Sequence, residues 1–155
     1  MSLSFLAVIL ALGIALVLYY LTHARKGIDW LRTGLDRNKV KGKWTEIEKL
    51  ISDGGTSNLR TAVIEADKLF DYVLKWLVGS KSHWDKKKKM RGETMGERLK
   101  IAQKRFSRYD IYQDVWEAHK LRNRVVHEVD NELLHHDAKK AIDYFRRGLR
   151  DLGVL

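Results

Sequence analysis

Apolar residues recur three and four positions apart over most of the chain, and the stretches that break this rhythm divide it into helices. Val40, Trp44, Ile47 and Ile51 put one apolar face on a helix over residues 38–52, which Gly54-Gly55 stops. Over 58–78, which Thr56 or Ser57 can cap, Leu59, Ala62, Val63, Ala66, Leu69, Phe70, Val73, Leu74 and Leu77 form the most regular stripe in the chain, ended by Gly79. Residues 79–93 are polar and basic and predict a loop. Thr94-Met95-Gly96-Glu97 then has the spacing of a capping box, opening a shorter helix with Met95, Leu99, Ala102 and Phe106 facing inward. Ile111, Val115, Ala118, Leu121, Val125 and Val126 carry a helix over 110–127. Glu128 to Asn131 is turn-like, and Ala138, Ala141, Ile142, Phe145, Leu149 and Leu152 carry a last helix over 133–152. Nothing alternates with the period of a strand. The predicted fold is all-α, an antiparallel bundle of four to five helices over residues 40–155.

The N-terminus breaks the pattern differently. From Leu3 to Leu21 there is no charge, and the run is apolar all round. As a helix it would be roughly 28 Å long at about 1.5 Å per residue, close to the hydrocarbon thickness of a bilayer. Residues 1–22 are therefore expected to be a single transmembrane helix, with lipid contact through residues 3–21 and Tyr19 and Tyr20 in the aromatic belt. Residues 23–39 form a basic juxtamembrane connector. Its Arg25, Lys26, Arg32, Arg37 and Lys39 outnumber Asp29 and Asp36, which predicts an N-terminus outside and a cytoplasmic C-terminal domain. A cleaved signal peptide needs a basic start and a shorter apolar core, and the chain has neither, although Thr22-His23-Ala24 weakly matches a cleavage site.

Composition narrows the chemistry. The 155 residues contain no Cys, which excludes disulfides, thiolate metal sites and a cysteine nucleophile. They contain no Pro, which favours long helices, and five Trp, which argues against disorder. Trp44, Trp76 and Trp116 are expected in the core or a dimer interface. The net charge is +10, suited to an anionic partner.

One segment combines chemistry-bearing side chains. His119, Asn123 and His127 stand four residues apart, within about 80° of one another on a helical wheel. Arg122 lies about 140° from His127 on an ideal helix, and its length leaves convergence open. Arg122-Asn123, three residues, then His127 resembles the R-x4-6-H motif of the HEPN superfamily, including the polar residue straight after the Arg. The resemblance covers roughly residues 40–152 and implies a HEPN-like bundle that forms a homodimer, with the two motifs facing across a cleft. Many members are metal-independent endoribonucleases. Others only bind nucleotides, RNA or a protein partner.

The resemblance gives Arg122, Asn123 and His127 catalytic roles. An imidazole titrates near neutrality, so His127 would act as general base or acid. Arg122 would hold the phosphate, and Asn123 would position Arg122, His127 or the substrate. A second-helix acid such as Glu65 sometimes assists in the family, and His119 is expected as a supporting or core histidine. The alternative function is a non-catalytic helical adaptor that binds RNA or a protein partner at the membrane.

A purely structural role also accounts for the trio. Arg122 would pair with a carboxylate on a neighbouring helix, such as Glu65 or Asp67; Asn123 would cap a backbone group; and His127 would close its helix end. Lys86, Lys87, Lys88, Lys89 and Arg91 form a solvated run that would also suit RNA phosphates or anionic lipid, with Trp84 beside it able to stack on a base. His119, His127, His135 and His136 lack a matched carboxylate or cysteine spacing, so neither metal nor cofactor is expected.

Overall fold

The computed structural model describes residues 5, 8–20, 34–79, 94–127 and 133–155. The bundle has five helices among these: α1 (Arg37–Asp53), α2 (Thr56–Gly79), α3 (Met95–Ala102), α4 (Tyr109–His127) and α5 (His135–Asp151), with a 3₁₀ turn at Gln103–Arg105 between α3 and α4. No strand occurs among the described residues.

Local chemistry sets the ends of these helices. The Asp36 carboxylate accepts from the Lys39 backbone N–H at 3.0 Å and caps α1. At α3, Thr94 Oγ1 accepts from Glu97 N at 3.2 Å and Thr94 N donates to Glu97 Oε2 at 3.3 Å, completing the expected capping box. At the end of α5, Gly153 N donates to Arg150 O and Val154 N to Leu149 O, a Schellman pair. Gly153 reaches the φ of 78° that this turn needs, a conformation an L side chain rarely takes. The turn folds Val154 back into the core.

Helix α2 is the centre and touches each of the other four helices. All nine of its stripe residues, Leu59 to Leu77, are buried, and Ala62, Val63, Ala66, Phe70, Val73 and Leu74 are fully so. Antiparallel α4 and α5 close over it. Gly148 of α5 permits this approach: a Cβ there would stand 2.6 Å from Val115 Cγ2 and 2.8 Å from Phe70 Cε2. Phe70 in turn packs on Phe145 and Phe106, with ring centroids 5.7 and 6.5 Å away. Trp44 is buried under Arg146, while Trp76 stays 38% exposed beside Tyr72. Leu35, Tyr112, Leu133 and Val154 join the core from positions outside the apolar stripes.

The N-terminal expectation is overturned. Among the described residues no helix is long and apolar enough to cross a membrane. The described part of the predicted span is helical over residues 8–20, with exposed side chains such as Leu10, Leu12 and Leu16. The single-pass anchor and the inside-outside topology are corrected accordingly. Residues 21–33, which hold most of the expected connector, lie outside the described residues. So do the loop at 80–93 with Trp84, Lys86, Lys87, Lys88, Lys89 and Arg91, and the turn at 128–132.

Candidate functional site

Asp67 follows Ala66 on α2, at the border of the apolar stripe that faces α4. It is only 3% exposed, one of two buried charged residues among those described; the other is Arg98. A carboxylate at that depth needs partners, and α4 supplies them from the positions flanking its own core residues Val115, Ala118 and Leu121. His119 Nδ1 lies 2.7 Å from Asp67 Oδ1. Arg122 Nε lies 3.2 Å from Asp67 Oδ2 as an ion pair, though the N–H is not aimed well enough to make a hydrogen bond. The remaining links run along α4. Arg122 Nη1 donates to Asn123 Oδ1 at 3.0 Å, and Asn123 Nδ2 lies 3.3 Å from His119 Nε2. The four side chains thus form a ring of contacts.

The ring lies in a cleft of about 360 Å³. Asp67, Lys68 and Asp71 line it from α2, Thr94 and Met95 from the start of α3, and His119, Arg122 and Asn123 from α4. Two of the charges at its edge are already engaged. Asp71 binds Arg98 at 2.6 Å and Lys75 at 3.0 Å, which ties α3 to α2, and Lys68 binds Glu65 at 2.8 Å. Arg122 keeps a quarter of its side chain exposed, and its Nη2 enters none of the contacts of the ring. With Lys68 at the edge, it is a cation that an anion entering the cleft would meet.

The expected site residues divide accordingly. Arg122, Asn123 and His119 come together. His127 is the last residue of α4, is exposed, and makes no hydrogen bond or ion pair with the ring among the described residues. Because α4 remains helical to its end, His127 keeps its offset of about 140° from Arg122. A neighbouring contact holds that helix end: Arg60 of α2 donates from Nη2 to the carbonyl of Val125, one of the groups a helix terminus leaves unpaired. Glu65 faces a different groove, between α1 and α2, lined by Lys39, Lys43, Glu46 and Tyr72. The second-helix acid that joins the ring is Asp67. The sequence had offered it as a structural partner of Arg122, and its signal was a charge at the edge of the apolar stripe, directly after Ala66.

No group of three or more His, Cys, Asp or Glu among the described residues is placed to hold a metal. Comparison with protein families, curated proteins and solved structures finds no match to this chain.

Proposed function

We propose that this chain is a HEPN-like domain that cleaves RNA without a metal. What carries the proposal is the pairing of Arg122 with Asn123 on the wall of an open cleft, braced by a buried carboxylate. The R-N-x3-H spacing near the end of the penultimate helix of an all-helical bundle supports it.

In this mechanism a phosphate of RNA sits against Arg122, whose guanidinium stabilises the charge that builds on the phosphoryl oxygens. The neighbouring 2′-OH attacks phosphorus and gives its proton to His127. The bond from phosphorus to the 5′ oxygen breaks, leaving a 2′,3′-cyclic phosphate, and the departing oxygen takes a proton from water. DNA, which lacks the 2′-OH, is not cut. In a homodimer, His127 at its exposed helix end would act on substrate held across a shared cleft.

A second reading is RNA binding without cleavage. It is favoured by the position of His127 outside the ring.

The test uses the full chain with labelled single-stranded RNA in EDTA. Cleavage to cyclic-phosphate ends is expected, with a loss of about 10²- to 10³-fold in Arg122→Ala and in His127→Ala. Unchanged cleavage in His127→Ala, or a requirement for divalent metal, would overturn the mechanism. RNA retention without cleavage would establish the second reading.

A further inference from the structure

We infer that His119 is a positioning residue: its neutral Nδ1–H tautomer orients the amide of Asn123, and through that amide the guanidinium of Arg122. The effect on rate rests on the ribonuclease reading, whereas the geometry does not.

The direction of the ring follows from its two ends. A carboxylate only accepts, so the His119 nitrogen 2.7 Å from Asp67 must be the donor, Nδ1–H. A guanidinium only donates, so the Asn123 atom 3.0 Å from Arg122 Nη1 must be the carbonyl oxygen. The Asn123 amide nitrogen then faces His119 Nε2 at 3.3 Å and can only donate, so that ring nitrogen must carry a lone pair. A neutral imidazole protonated at Nδ1 has one there. The other tautomer would set two N–H groups against each other at Nε2 and leave Asp67 without its donor. Asp67 thus fixes the histidine, the histidine fixes the amide, and the amide holds the arginine.

The ring plane of His119 is held independently. Trp116, one helical turn earlier, meets it edge to face with centroids 6.1 Å apart. Trp116 is itself confined by Gly96 of α3, where a Cβ would come within 3.1 Å of its Cη2, and by the ammonium of Lys100, 5.9 Å from its ring.

Two substitutions separate the links of the chain. His119→Asn keeps a donor near the Nδ1 position, toward Asp67, and loses the acceptor toward Asn123. His119→Gln keeps an acceptor near the Nε2 position and loses the link to Asp67. If His119 were only a structural partner of Asp67, stability and activity would fall together and His119→Gln would be the worse in both. A positioning role predicts opposite orders: His119→Asn is the more stable variant, and His119→Gln cleaves RNA about tenfold faster than His119→Asn, the usual factor for one oriented hydrogen bond.

The tautomer itself is read without any activity, from two-bond ¹H–¹⁵N correlations of the imidazole in the full-length protein. The expected pattern is a protonated Nδ1 and an unprotonated Nε2. An Nε2–H tautomer, or stability and activity falling in the same order, overturns the inference. If the wild-type chain cleaves no RNA, the ribonuclease reading fails and the tautomer alone decides the positioning role.

Discussion

Helix α2 carries two kinds of buried side chain on one surface. Phe70 is fully enclosed by Phe145, Phe106 and the α5 backbone at Gly148, and nothing about its surroundings is directional. Asp67, one turn earlier and nearly as buried, is held only by contacts with defined donors and acceptors on α4. An apolar side chain gains from any close-packed neighbour of the right size. A buried carboxylate gains only from specific partners and is costly without them. The bundle therefore tolerates variation in the identity of its core better than variation in its polar ring, although the core contributes more stability.

Truncating Phe70 should produce the largest effect. Phe70→Ala removes a ring from the contact of α2 with α5 and leaves a cavity between Phe106, Phe145 and the α5 backbone at Gly148. A loss of about 3–5 kcal/mol is expected, measured by urea denaturation. A loss near 1 kcal/mol would mean that α5 rides loosely on α2, contrary to the close approach at Gly148.

Removing the ring's carboxylate comes next. Asp67→Ala strips the acceptor from His119 Nδ1 and the counter-charge from Arg122. Arg122 is a quarter exposed and recovers part of its loss from water, so about 2 kcal/mol is expected. Asp67→Asn retains an oxygen that His119 can donate to and should lose about half as much. Equal losses would show that charge, rather than the directed bond to His119, secures Asp67.

The same contrast explains what the sequence disclosed. Every apolar residue expected in the stripes of α2, α3 and α5 is buried, because a helical period is written in consecutive residues. The capping box at Thr94 and Glu97 was legible for the same reason. Tyr112 was missed because its hydroxyl masks an apolar ring that packs edge to face on Phe106. Leu35, Leu133 and Val154 were missed because they belong to connections rather than to stripes. Arg122 with Asn123 was legible as a local motif, and Asp67 was one of two carboxylates offered as a partner for Arg122, but its contact with His119 was not legible. Asp67 lies on another helix, 52 residues from His119, and no period links them. An acid on the second helix was foreseen, yet Glu65 and Asp67 stand two residues apart within one turn of α2 and face different ways, one toward the groove with α1 and the other toward α4. The apolar N-terminal run shows the converse failure: composition over 3–21 predicted a membrane span, and among the described residues no helix is long and apolar enough to cross a membrane.

That ambiguity between the two acids supplies the smallest and sharpest prediction. Glu65 pairs with Lys68 at 2.8 Å, with side chains 43% and 59% exposed, on the groove toward α1. A pair this open to solvent is screened and contributes at most about 0.5 kcal/mol. Glu65→Gln should therefore shift the denaturation midpoint barely measurably and leave RNA cleavage in EDTA within about twofold of wild type, whereas Asp67→Asn should lower it about tenfold by loosening His119 and Arg122. Two carboxyl-to-amide changes two residues apart on one helix would then differ in rate because one side chain faces the cleft and the other does not. The reverse result, a rate lost with Glu65 and kept with Asp67, would move the reacting phosphate to the groove between α1 and α2. Arg122 and Asn123 would then be left with a packing role alone.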